Sequence, residues 1–430
     1  MVQGATHPRH GTRTEALWHH ADFMKLWIGE TVSLLGSEVT TLALPLTAIL
    51  LLKATPFQMG ILNAATFAPF LVIPLFAGLL VDHTSRRRLL IIANLGRAAL
   101  LGLIPLLALL GQLRIEYLFL ITLSTGVLGV FFKLAYEAYL PRLISSEQLL
   151  DGNSKLSLSG SFSELAGPGL AGALVQLITA PLAILVDAAS FLFSGLTLLF
   201  IRQPEPISLP AKGSLRIFHR IGEGLRLTGK DRYLRAFAGE AGTHNLFWQM
   251  MQVILILYAI RQLHFSSLLI GFIFAIGSTG ALLSALFTQR LSAKLGVGRT
   301  MIGAQLISDL ATLLIPLTAL IGNTIGSVTC ILLAFFFRGI GNTICNVQVS
   351  SVRQIMIPDH LRGRINAVYS LLVSGAVALG ALLGGVLGEQ LGMPQTLLIG
   401  AIGILLSWLW LLLSPLSHLK RLSDIESMHE

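Results

Sequence analysis

The chain has 430 residues, of which 54% are hydrophobic and 12% charged; soluble globular domains carry about 25% charged residues, so that class is excluded. The net charge of +9 comes from Lys and Arg in the segments between apolar runs, where membrane topology accounts for it, and a nucleic-acid partner is excluded as its cause. Apolar runs long enough to cross about 30 Å of hydrocarbon recur along the whole length, so the expected fold class is an all-α integral membrane protein.

Residues 1–22 read as a polar cytoplasmic tail, in which His7, His10, His19 and His20 are solvated side chains rather than a metal cluster. The first apolar run is too long for a cleavable signal and is expected to remain as the first span. Spans are expected at 23–50, 57–80, 89–110, 117–140, 155–178 and 181–201, and again at 234–260, 267–289, 300–322, 325–348, 366–389 and 394–416. This divides the chain into an N-terminal six-helix half (23–201), a basic linker (202–233), a C-terminal six-helix half (234–416) and a C-terminal tail (417–430). One side of this threading receives Arg86, Arg87, Arg88, Arg142, Arg290, Lys294, Arg299, Arg353, Arg362 and Arg364, and the other only Lys53, Arg114 and Arg261. Positive charge marks the cytoplasmic side, so both tails and the linker are expected there. The linker stretch "LRIFHRIGEGLRL" has the pattern of an amphipathic surface helix, either a lipid-binding element or a plain topological anchor. Cys330 and Cys345 share one span and lie roughly 22 Å apart along it, too far for a disulfide.

The halves repeat. "LIPLLALLG" (Leu103–Gly111) matches "LIPLTALIG" (Leu314–Gly322) at seven of nine positions, at an offset of 211. At offset 212, "LPRLISSEQLLDGN" from Leu140 falls on "VRQIMIPDHLRGRI" from Val352, and each leads into a Gly-rich span. A parallel duplication of six spans is a transporter architecture, with the substrate path between the halves near the midplane. No GxxxxGK[ST] sequence occurs, so the energy for transport is expected from a gradient rather than ATP.

The loop "GLLVDHTSRRRLL" (Gly78–Leu90) resembles the signature loop of the major facilitator superfamily: Gly78, Leu80, Asp82, Arg86 and Arg87 fit it, while His83 and Ser85 depart. "FFKLAYEAYLPRLI" (Phe131–Ile144), "PDHLRGRINAVYS" (Pro358–Ser370) and "LWIGETVSLLGSEVTTLALPL" (Leu26–Leu46) are similar to the branch of enterobactin-exporter-like and macrolide-efflux-like proteins. The resemblance implies twelve spans in two halves related by a pseudo-two-fold axis, no cofactor, and a cytoplasmic latch of Gly78, Asp82, Arg86, Arg87 and Glu137, in which Asp82 caps or pairs across the face between the halves and Arg86 meets Glu137; the alternative is that Asp82 and Arg86–Arg88 form only a tight turn with topological charge. "GPGLAG" (Gly167–Gly172) partly resembles the superfamily's antiporter motif; its plainer reading is close helix packing around a proline bend.

A carboxylate at the centre of a bilayer helix costs about 2.5–3.5 kcal/mol on insertion scales, which makes each in-span charge a functional candidate. In span 1, Glu30, Ser33, Ser37, Glu38, Thr40 and Thr41 fall within about 160° of the helix circumference, a polar face suited to the cavity. Glu38 lies near the midplane and is the first choice for a protonation and cation site. Glu30, about 12 Å nearer the cytoplasm, is either a second relay step or a carboxylate hydrated from that side. Glu164 in span 5, the stripe Glu240, His244 and Trp248 in span 7, and Arg338 with Asn342 in span 10 are the further cavity candidates. Acids, aromatics and amides on apolar walls suit a bulky cation, although amides serve equally to satisfy one another between helices. Lys133 and Glu137, at i and i+4, partly neutralise each other. Arg97 and Asp309 occupy nearly equivalent positions in spans 3 and 9 and receive no role, because the resemblance makes those spans peripheral; Asp187 is read as structural.

The expected function is a secondary transporter exporting a bulky amphiphilic small molecule in exchange for protons or another coupling ion, a monomer among lipids of a bacterial plasma membrane. The alternatives are a facilitator or importer on the same fold, and a membrane-embedded enzyme, which no nucleophile–base or metal spacing supports. An Asp82→Asn protein is expected to insert normally and to transport several-fold more slowly than wild type in vesicles; a wild-type rate would dismiss the latch.

Overall fold

The computed structural model describes residues 17–74, 84–202 and 217–419, and among them every regular element is helical. The first six helices are α1 (Ala21–Leu46), α2 (Pro56–Val72), α3 (Arg86–Leu109), α4 (Ile115–Leu143), α5 (Leu149–Ile178) and α6 (Ala180–Leu199). A short helix, α7 (Ile217–Lys230), falls where the amphipathic linker helix is expected. Then come α8 (Arg232–Arg261), α9 (Ser267–Leu295), α10 (Val297–Thr312, continued by Leu314–Leu317), α11 (Thr324–Met356), α12 (Asp359–Gln390) and α13 (Met393–Leu412).

Local chemistry sets the ends. Thr55 and Gln58 form a reciprocal capping box ahead of Pro56, so α2 begins with its orphan donors satisfied. Asp231 accepts from the N–H groups of Tyr233 and Leu234 and starts α8. Three joints between helices turn on a residue with positive φ: Thr179 (83°) and Gly296 (88°), each the whole joint, and Gly392 (93°), which follows Leu391. Glycine takes that conformation freely, whereas β-branched Thr179 is strained there.

Nine of the described helices are long and apolar enough to cross a membrane. Neither α5 nor α8 is among them, and α2 is shorter. The first two carry ionisable residues within their length, including Glu164, Glu240 and His244. Several helices outrun their expected spans at the basic end: α11 reaches Met356, α12 starts at Asp359 and α5 at Leu149. Hydropathy marks only the part of a helix that matches hydrocarbon, and the polar turns beyond it remain helical.

The helix pairing repeats. In the first group α1 packs on α5 and α6, α3 on α4 and α6, and α2 on α4; in the second, seven elements later, α8 packs on α12 and α13, α10 on α11 and α13, and α9 on α11. The groups meet through α2 against α12 and α5 against α9. Both crossings are backbone to backbone. A side chain at Gly385 would strike Gly60, and one at Gly271 would strike Gly172 and the carbonyl of Pro168, so only small residues permit this approach. At the end of the molecule that carries the α1–α2 connection, Arg261 donates to the carbonyl of Ala54 (2.8 Å) and Glu389 accepts from the N–H of Phe57 (3.2 Å). The helix α7 is docked on α12 by Glu223–Arg364 (2.7 Å), with Gly224 against the Arg364 carbonyl.

Overpacking a tight site costs about 1–3 kcal/mol. Gly271→Val is therefore expected to lower the thermal midpoint of the purified protein, whereas Gly303→Ala, where the added methyl meets open space, leaves it unchanged or raised.

Candidate functional site

The polar face of α1 and the small residues of α5 meet at Gly167. Its missing side chain is the space into which the Cβ and Cγ of Glu38 fit, and any larger residue would collide with them. Glu38 is half-buried there, and Glu164, one turn back on α5, is exposed and within electrostatic reach of it. The Glu164 carbonyl accepts from Ser278 Oγ of α9 (2.8 Å), so the second group adjoins this carboxylate pair. Like charges so placed repel, and a proton or a cation relieves the repulsion.

In the second group, the Arg338 guanidinium stacks 3.3 Å from the centroid of the Trp248 ring, and its Nε is buried without a hydrogen-bond partner among the described residues. Trp248 in turn packs edge-on against Phe335. Asn342, one turn along α11, is half-buried. The expected stripe of α8 therefore divides: Trp248 stays partly accessible while Glu240 and His244 are only 7% and 5% exposed.

Each group also holds a buried cluster of charge. In the second, Gln305 of α10 donates its amide N–H groups to His244 Nδ1 and to Asp309 Oδ1, both at 3.0 Å. Because an amide nitrogen only donates, Nδ1 accepts, which leaves the proton of a neutral ring on Nε2. His244 Nδ1 lies 3.7 Å from Asp309 Oδ1, the charge of Arg338 reaches both residues, and that of Glu240 reaches Asp309. Asp309 is wholly buried, and its Oδ2 and His244 Nε2 have no hydrogen-bond partner among the described residues.

In the first group, Arg97 of α3 lies between the rings of Phe132 (4.4 Å) and Phe191 (4.0 Å) and donates to Asn94 Oδ1. Asn94 donates onward to Ser194 (2.9 Å). The charge of Arg97 reaches Glu30 and Asp187, and Asp187 accepts from Ser190 (3.1 Å). Glu30 Oε2 is buried without a hydrogen bond among the described residues. Thus Arg97 and Asp309, which sequence reasoning left without roles, face inward and centre the two clusters. Asp187, read only as structural, belongs to the first. Gln305 and Asn94, four and three residues ahead of those charges, were missed; the near-equivalence of Arg97 and Asp309 in the repeat was the available signal.

Of the expected latch, Gly78 and Asp82 lie outside the described residues. Arg86 is buried at the start of α3, Glu137 is exposed on α4, and among the described residues the two are not ion-paired with each other. Arg87 donates to the carbonyls of Leu198 (3.0 Å) and Leu199 (2.8 Å), where a cation complements the C-terminus of α6.

The family model described as transmembrane secretion effector, of the major facilitator type, matches residues 14–430. The chain is a major facilitator superfamily transporter. It is 27% identical over 384 residues to the multidrug efflux pump Tap of Mycolicibacterium fortuitum, covering 86% of this chain and 90% of that one. It is 24% identical over 393 residues to the MFS-type transporter YfiS of Bacillus subtilis, covering 87% and 89%. A crystal structure of the nucleoside transporter NupG, in a mutant form, shares the fold with a TM-score of 0.73 at 14% identity, over 91% of this chain and 99% of that one. The superfamily membership makes this a multi-pass membrane transporter of small molecules and not an enzyme.

Buried opposite charges compensate one another through their fields even without direct contact, and removing one leaves the other uncompensated. In this transporter Arg97→Ala is therefore expected to lower the thermal midpoint more than the double variant Arg97→Ala/Asp187→Ala does, a reversal of additivity that a double-mutant cycle in detergent reads directly.

Proposed function

We propose that this transporter exports a bulky, amphiphilic, cationic small molecule in exchange for protons, with Glu38 as the shared site of proton and substrate. The observation that carries the reading is the seating of Glu38 on Gly167 beside Glu164, at a point where α5 adjoins α9. A carboxylate at such a seam changes surroundings whenever the groups rock, and a carboxylic acid's proton affinity follows its surroundings. The name of Tap, an efflux pump, supports the export direction.

The repeated helix pairing supports twelve spans in two six-helix halves, 23–201 and 234–416, joined by the basic linker, and the distribution of Lys and Arg supports both termini in the cytoplasm. In that orientation the contacts of Arg261 and Glu389 close the outer side, and the substrate path opens inward. Trp248 and Arg338 form the facing wall, whose aromatic surface accepts an apolar body. The inner clusters centred on Arg97 and Asp309 hold each half rigid, and the Asp82 loop latches the inner side when the outer side opens. The protein acts as a monomer in the plasma membrane of a bacterium.

In inside-out vesicles an acidic lumen drives such an exchanger to accumulate a fluorescent lipophilic cation. Wild type is expected to accumulate it only with the pH gradient, Glu38→Gln to lose the gradient-driven component, and Glu38→Asp to keep part of it. Gradient-driven accumulation by Glu38→Gln would remove the assignment, and gradient-independent equilibration by wild type would identify a facilitator.

A further inference from the structure

A groove of about 990 Å³ opens on the second group, between the first turns of α8 and the last turns of α13. It lies away from Glu38 and takes no part in the transport cycle just described. At its mouth stand Arg232 and Arg235, one turn apart and both exposed. Neither has an ion-pair partner among the described residues. The neighbouring acid, Asp231, is already engaged in capping α8 through the N–H groups of Tyr233 (2.9 Å) and Leu234 (2.8 Å), where it adds to no bridge.

Deeper in, the lining changes character. Leu406, Leu409 and Leu413 are 52%, 37% and 81% exposed along the last turns of α13 and the residue that caps it, a stretch about 10 Å long. Trp410 is held between them: its ring lies over Gly239 of α8, where a side chain would collide with it, and its indole N–H donates to Thr243 (3.1 Å). Two unpaired guanidiniums at a helix end, followed inward by apolar surface and an anchored indole, repeat the order of a phospholipid: phosphate, glycerol and acyl chain. Guanidinium forks match phosphate oxygens, and basic pockets between membrane helices take anionic headgroups.

We propose that this groove is a binding site for an anionic diacyl phospholipid, its phosphate between Arg232 and Arg235 and an acyl chain along Leu406, Leu409 and Leu413 beside Trp410. The occupant ties α13 to α8, the helix that carries Glu240, His244 and Trp248.

Native mass spectrometry of the full-length protein, titrated with phosphatidylglycerol or phosphatidylcholine of the same acyl chains, tests this. Wild type is expected to retain phosphatidylglycerol about tenfold better, and Arg232→Ala/Arg235→Ala to lose that preference while keeping the lipid-free thermal midpoint. Equal retention of the two lipids by wild type, or an undiminished preference in the variant, would overturn the site. So would displacement of the lipid by inorganic phosphate alone, or a dimer that the variant dissociates, since each names a different occupant. Should the double variant fail to fold, brominated lipids decide with the remaining proteins. Brominated phosphatidylglycerol is expected to quench wild-type fluorescence more than the brominated phosphatidylcholine does, and Trp410→Phe to abolish the difference; an unchanged difference refutes the proposal.

Discussion

Hydrocarbon offers an ionised side chain no water, so charges inside a membrane protein answer only to one another. That constraint organises both groups of this transporter. Arg97 gathers Asn94, two aromatic faces and the fields of Glu30 and Asp187. Asp309 gathers Gln305, His244 and the fields of Glu240 and Arg338. Interactions of this kind strengthen as the dielectric falls and are lost at great cost when one partner leaves. Each cluster draws on several helices of its own group, among them α1, α3 and α6 in the first and α8, α10 and α11 in the second, and so binds that group internally.

The seam between groups is built differently. Where α2 crosses α12 and α5 crosses α9 the contact is glycine on glycine and backbone carbonyl. Without a hydrophobic drive between helices in lipid, such contacts rest on close packing. They can be exchanged for other close packing without exposing a charge. The buried charge clusters are thus kept within each group, and the crossings between the groups are shape-dependent, joined at one end by the hydrogen bonds of Arg261 and Glu389, a distribution that suits rigid-body rocking. Glu38 and Glu164 are acidic groups placed at the seam itself.

Much of this was legible in the sequence, and the failures have physical reasons. The helices followed from apolar run length, and the repeat from two stretches sharing an offset. Glu38 on a polar stripe, and the stripe Glu240–His244–Trp248, followed from helical spacing. What spacing leaves out is rotation: α3 and α10 are apolar around most of their circumference, so nothing local tells which way Arg97 and Asp309 point, and only the packing of their groups turns them inward. Gln305 was passed over because a lone amide in a span carries little signal until its partners are known. Arg87 matches a motif, yet its contacts are to the end of α6, a neighbour no linear pattern identifies. The helix ends were underestimated wherever polar turns continue past the hydrocarbon.

The joint at Thr179 has a mechanical consequence. One strained residue separates α5 from α6, with no loop between them to absorb a change of angle. A tilt of α5, which carries Glu164 and the cradle for Glu38, is passed to α6, which carries Asp187 and the carbonyls held by Arg87. The two helices act as a bent lever with its elbow at Thr179, one arm in the seam and the other in the buried charge, so that displacement at the carboxylate pair is felt by the cluster around Arg97.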